Sequence, residues 1–195
     1  IMIWKHITFK VFLCCLCLLS INNITTAQNL VNNPSFEQQL SCPTGLDNIG
    51  NVAGTGDAAA WFSPTDGSPD YYNACVTNNT TAGVPSNFYG AQAAFNAGED
   101  AYAGFLAYDN ENNSRDYLSV QLSQPLNVGT AYCVEFQVSL AEFTYFATEN
   151  IGLHFSETAL DVTNGGIHLG ITPQVTNDNG VIFDKIGWTS ISATF

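Results

Sequence analysis

The chain is poor in positive charge. Its 195 residues hold 4 Lys plus Arg against 17 Asp plus Glu. Phosphate backbones are bound through cationic surfaces, so nucleic acid is excluded as a partner and anionic membrane is disfavoured. A long apolar run is also missing: the longest, residues 11–19, falls far short of the about 20 residues a spanning helix needs. No amphipathic stretches of helical period separate the candidate strands, which argues against a parallel α/β fold. Heptads, tandem repeats and low-complexity tracts do not occur. Nor does a GxSxG elbow, an HxH or HxxxH pair, or the twelve-residue calcium loop, so no motif points to serine hydrolysis, a zinc site or an EF-hand.

What the N-terminal end does hold is Lys5 and Lys10 ahead of the apolar run, then a polar stretch ending in Thr25, Thr26 and Ala27. This is the order of a secretory signal peptide, with cleavage expected near Ala27. Residues 1–27 then leave, taking Cys14, Cys15 and Cys17 with them. All 17 acids follow Ala27, so residues 28–195 keep two cations, Arg115 and Lys185, against 17 acids, a formal charge of −15. Such a balance suits solubility outside the cell, divalent cations and neutral ligands. The remaining length fits one sandwich domain with a sizeable core.

Residues 130–140 carry the strongest structural signal. Tyr132, Val134, Phe136, Val138 and Leu140 recur at every second position, with Cys133, Glu135, Gln137 and Ser139 between them, the period of a half-buried strand. Leu118, Val120 and Leu122 repeat the alternation, as do Ile151, Leu153 and Phe155. Pro125, Asn127 and Gly129 supply a turn, and residues 141–149 read as a polar linker. Further strands are expected over 101–108, 171–175, 180–183 and 188–195, and over 29–37, where Pro34 marks an edge or bulge. In 101–108 the small residues Ala101, Ala103, Gly104 and Ala107 permit a close approach of neighbouring layers. Glycines and prolines cut 38–98 into short pieces, yet Trp61, Phe62, Tyr71, Tyr72, Phe88, Tyr89 and Phe95 carry too much apolar area for a solvated linker. The fold class expected is all-β, an antiparallel β-sandwich or jelly roll spanning 28–195. Its last strand runs to Phe195 with no turn behind it, the pattern of a domain incomplete at its C-terminus.

Cys42, Cys75 and Cys133 leave one thiol over. The two in Gly/Pro-rich loops, Cys42 and Cys75, are the expected disulfide, with a bond from Cys133 to either as the competing arrangement. His154 and His168 are isolated and read as surface groups. Glu135, Glu142 and Glu149 are the candidates for the carboxylate pair of a glycoside hydrolase-like enzyme, set against the simpler view that they are solvated acids. Asp178, Asn179 and Asp184 offer oxygen ligands without a calcium-loop pattern. Trp61, Tyr71, Tyr72 and Tyr89 present flat rings that stack on sugars, and Asp70, Asn73 and Asn87 offer hydrogen bonds to hydroxyls.

Two sets of residues carry a resemblance. The opening Asn29, Leu30, Val31, Asn32, Asn33, Pro34, Ser35, Phe36, Glu37, with Trp61 after a glycine-rich loop, resembles galactose-binding-like jelly-roll modules of the carbohydrate-binding type. The blocks Cys42–Gly45, Ser68–Cys75, Gly83–Asn87 and Ala101–Gly104 look like the N-terminal region of secreted Bacteroidetes surface proteins, some of which continue into an OmpA-like domain. The resemblance implies a jelly-roll fold, a place outside the cell or on the extracellular face of the outer membrane, and a structural Ca2+ with Glu37 among its ligands. The acid that completes that calcium site in the carbohydrate-binding relatives has no match here. The function expected is a non-catalytic module for carbohydrate binding, adhesion or surface attachment. Its partner is a carbohydrate or another cell-surface protein, with no nucleic acid and no membrane insertion of the domain. A purely structural domain of a larger envelope protein is the alternative.

Overall fold

The structure is a computed structural model that describes residues 2–6, 28–77, 81–160 and 168–195. Its strands are β1 (Met2–His6), β2 (Trp61–Phe62), β3 (Asp70–Asn73), β4 (Ser86–Asn87), β5 (Gly90–Ala91), β6 (Ala101–Leu106), β7 (Ser119–Val120), β8 (Cys133–Leu140), β9 (Gly152–Leu153), β10 (Val175–Thr176) and β11 (Thr189–Thr194). Among the described residues there is no helix. A five-stranded antiparallel sheet in the order β11-β8-β1-β6-β3 is the backbone of the fold, and β10-β9, β2-β7 and β4-β5 form small antiparallel pairs. The protein is therefore all-β, and the arrangement is consistent with a β-sandwich.

The longest strand, β8, follows from the alternation at its heart. Val134, Phe136, Val138 and Leu140 are buried on one face, where they join Trp61, Tyr71, Phe105, Ile151, Val175, Ile182 and Ile191 in the main core. The register sets Ile191 of β11 opposite Phe136. The polar phase of β8 departs from expectation, because Gln137 and Ser139 are buried as well. Ser139 Oγ donates to Gln92 Oε1 at 2.9 Å, and Gln137 Nε2 donates to Glu135 Oε1 at 2.9 Å. Polar atoms held this way are inexpensive to bury, so loops can cover the second face of the sheet. A second small cluster sits there: Tyr72, Ala82, Tyr102 and Ala141, with Leu46, Val84, Tyr89 and Trp188 against it.

One small residue of β6 makes room for a side chain of the neighbouring strand in the same sheet, where a facing layer was expected. A Cβ on Gly104 would stand 2.7 Å from a ring carbon of Tyr72, so the ring lies directly over the glycine. At the sheet edge beside β3 one side chain caps Tyr71, while the Asn73 amide donates to the Ala82 carbonyl at 3.1 Å. Asn48 Oδ1 accepts the Tyr71 amide, while its Nδ2 donates to the Tyr71 carbonyl at 3.0 Å and to that of Gly45 at 2.7 Å. An amide side chain thereby stands in for a neighbouring strand.

Residues 29–37 do not form the expected strand. Val31 makes a single bridge to Leu122, and the chain then turns through Asn33 and Phe36, whose φ values are 49° and 64°. The turn is organised by Asn33, whose Nδ2 donates to the carbonyls of Gln38 and Ala59 at 2.9 Å and whose Oδ1 accepts the Gln38 amide at 2.9 Å. Asparagine tolerates this backbone region and satisfies it locally. Residues 180–183 likewise give one bridge, Thr148 to Ile182, in place of a strand. Met2–His6, at the head of the stretch with signal-peptide character, pairs with both β6 and β8; residues 7–27 lie outside the described residues.

Candidate functional site

On β3 the strand period sends Tyr71 and Asn73 to one face and Asp70 and Tyr72 to the other. Tyr71 and Asn73 are buried with Trp61. The Tyr71 hydroxyl donates to the Phe36 carbonyl at 2.9 Å, and Asn73 Nδ2 donates to the Tyr71 oxygen at 2.7 Å. Asn73 Oδ1 accepts the Cys75 amide at 2.8 Å. Trp61 stacks on Phe36 with ring centroids 4.6 Å apart, and its Nε1 donates to the Asn33 carbonyl at 2.8 Å. These contacts clamp the 31–39 turn onto the main core.

The opposite face is equally closed. The Tyr72 hydroxyl donates to Asp70 Oδ2 at 2.8 Å, and the Asp47 amide donates to Asp70 Oδ1 at 2.7 Å. Burial raises the Asp70 pKa to about 7, against those two hydrogen bonds and with help from the Asp47 and Asp116 carboxylates. Burial also pushes Tyr71 up to about 12, and Tyr89 to about 12. Asn87 Nδ2 donates to the Tyr102 hydroxyl at 2.8 Å, and its Oδ1 accepts the Tyr89 amide at 2.9 Å. Of the seven residues proposed for ligand contact, Trp61, Asp70, Tyr71, Tyr72, Asn73 and Asn87 are thus buried; Tyr89 is half-buried. Their rings and polar atoms meet protein.

Cys42 and Cys75 form a disulfide with a Cα separation of 6.0 Å, while Cys133 is a free, half-buried thiol 3.6 Å from Thr194 Oγ1. Beside the disulfide lies an open polar cleft of about 380 Å³ lined by Glu37, Gln39, Asn73, Ala74, Cys75 and Asp100. Glu37 Oε1 accepts the amides of Asp100 and Ala101 at 3.0 Å each. Burial raises its pKa in spite of those bonds, with Glu99 and Asp100 nearby. Glu37 thus ties the 31–39 turn to the start of β6. Among the described residues no group of three or more His, Cys, Asp and Glu is placed to hold a metal ion, and Glu37 Oε1 is taken up by its two amides.

The other acids are dispersed. Glu135 Oε1 accepts Ser190 Oγ at 3.0 Å, whereas Glu142 Oε2 accepts the Ala91 amide. The two carboxylates therefore engage different partners, Glu135 on β11 and Glu142 at β5. Glu149 is exposed and takes part through its carbonyl, to which Asn177 Nδ2 donates at 3.0 Å. Asp184 Oδ1 accepts the Ile186 and Gly187 amides at 2.9 and 2.8 Å, which lowers its pKa. Asp178 takes the Thr176 hydroxyl at 3.2 Å, and Asn179 donates to the Ser190 carbonyl at 3.3 Å. His154 is exposed, with Nδ1 3.0 Å from the Thr172 carbonyl, and His168 accepts the Gly170 amide at 3.2 Å.

A different aromatic surface is open to solvent. Phe143, Tyr145 and Phe146 are 69, 96 and 70% exposed, and Phe183 and Ile186 are 75 and 88% exposed. Two neighbouring loops carry them. Lys185 Nζ donates to the carbonyls of Glu142 and Thr144 at 2.9 and 2.7 Å, and the Ile182 amide donates to the Thr148 carbonyl at 2.9 Å. The Phe143 amide reaches the Tyr89 carbonyl at 3.1 Å, which anchors the near end of the first loop. Sequence reasoning passed over residues 141–149 as a polar linker, although three aromatics in four positions, 143–146, were the signal. No protein-family model, curated protein or solved structure matches the chain.

Proposed function

We propose that the protein is a non-catalytic binding module of the cell exterior that engages carbohydrate through the aromatic surface of Phe143, Tyr145, Phe146 and Phe183. The observation that carries this reading is the exposure of those rings on two loops stapled together by Lys185. Exposed apolar groups in such number mark an interaction surface, and aromatic faces held at low entropic cost suit sugar rings. The dispersed acids favour binding over hydrolysis. A disulfide belongs to an oxidising compartment, in keeping with the signal-peptide character of residues 1–27. The resemblances to galactose-binding-like carbohydrate-binding modules and to the N-terminal region of secreted Bacteroidetes surface proteins agree with this setting.

The burial of Trp61, Tyr71 and Tyr72 favours a second role for the β3 region, that of scaffold for a larger envelope protein. A glycan array with the secreted protein separates the two. Binding that Tyr145→Ala and Phe146→Ala together reduce at least tenfold is the expected result. A silent array overturns the carbohydrate reading, and binding untouched by both substitutions removes this surface from it.

A further inference from the structure

β1 is the middle strand of the five-stranded sheet, yet its residues belong to a stretch whose pattern is that of a segment removed on secretion. We propose that the space between β6 and β8 is a strand-receiving slot, filled in the secreted protein by a further β-strand of the same polypeptide, beyond Phe195, that runs antiparallel to both walls.

The register describes the occupant. β1 sets Ile3 opposite Phe105 and Leu140, and Lys5 opposite Ala103 and Val138. All four wall residues are buried in the main core. By register both positions share a strand face with buried core residues, so an apolar side chain suits each of them. The true occupant is therefore apolar at the two positions now held by Ile3 and Lys5.

The walls require some strand to be present. β6 and β8 run parallel to one another across the slot, about 9.5 Å apart at two strand spacings, and cannot bond directly. Emptied, the slot would leave a row of N–H and C=O groups without partners on each wall, and β3-β6 would lose its link to β11-β8. A free edge can wait for a partner, but the middle of a sheet must be complete for the core to close. A strand on the same chain is available during folding without the entropic penalty of association. Among the described residues of 28–195 the strands already hold other places, with β11 on the outer side of β8. β11 ends beside Cys133, whereas the occupant enters at Leu140, as β1 does through Ile3. One crossing segment over the opposite layer joins these two ends, as sandwich connections do.

The test uses the protein recovered from outside the cells that make it. Mass spectrometry establishes its N-terminus, hydrogen exchange reads the β6 and β8 amides, and Phe105→benzoylphenylalanine supplies a photo-crosslink into the slot. The expected result is a chain without Met2–His6, exchange in both walls slowed at least about 100-fold relative to exposed loops, and a cross-link at monomer mass to residues beyond Phe195. Retention of Met2–His6 in the slot overturns the proposal, as does rapid exchange in β6 and β8. A cross-link to a second copy or to another protein also overturns it, by assigning the strand to a different source.

Discussion

Tyr72 and Asp70, two residues apart on one strand, share a buried hydrogen bond: the phenol donates to the carboxylate at 2.8 Å. Both groups lie beneath the loop layer, so this contact places a titratable acid where water cannot solvate its charge.

The first expectation concerns pH. Burial raises Asp70 from 3.8 to about 7, and burial raises Glu37 and Asp116 in the same direction. The folded protein then binds a proton more tightly than the unfolded chain, so the stabilisation is fully present below about pH 4 and is lost as pH rises through about 7. From the one-unit equivalence, Asp70 alone accounts for roughly 4 kcal/mol across that window. Thermal melts should show a lower melting temperature at pH 8 than at pH 5.5. Asp70→Asn should flatten the profile, and an unchanged slope in that variant would remove Asp70 as its source.

A second expectation follows from the Asn48 side chain, which alone covers the amide and carbonyl of Tyr71 at the sheet edge. Asn48→Ala leaves both groups without that partner, and urea denaturation should register a loss of about 1–3 kcal/mol. Asn48→Asp, which keeps the acceptor and loses the donor, should fall between. A wild-type midpoint for Asn48→Ala would show that water satisfies the edge equally well.

Glu37 gives a third, in which calcium is the control. Two amides depend on its Oε1, so Glu37→Ala should lower stability by about 1–3 kcal/mol in calcium-free buffer. The same loss should appear when calcium is added. Destabilisation seen with calcium alone would reassign Glu37 to metal binding.

Much of the frame was legible because it rests on local period. The alternation from Tyr132 to Leu140 identifies β8 and its core face, and the loop setting of Cys42 and Cys75 anticipates their bond. What escaped depends on partners far away in sequence. Ser139 is buried because Gln92, 47 residues distant, satisfies it, and no strand period announces such a match. The tyrosines of β3 look like ligand contacts until their hydroxyls are traced to Phe36 and Asp70. Composition alone does not separate a ring that anchors a loop from one that greets solvent. The converse error fell on Phe143, Tyr145 and Phe146, whose polar neighbours Glu142 and Thr144 hid them.

The scarcity of cations acquires a further meaning at Lys185. After Ala27 a trypsin-like protease meets two bonds to cut, those following Arg115 and Lys185. Arg115 rests over the Tyr108 ring at 4.8 Å and donates to Asn113, while the Lys185 ammonium is held by two carbonyls. Neither side chain is free to enter a specificity pocket without first surrendering those contacts. The staple that joins the two aromatic loops therefore also shields the chain from trypsin-like cleavage.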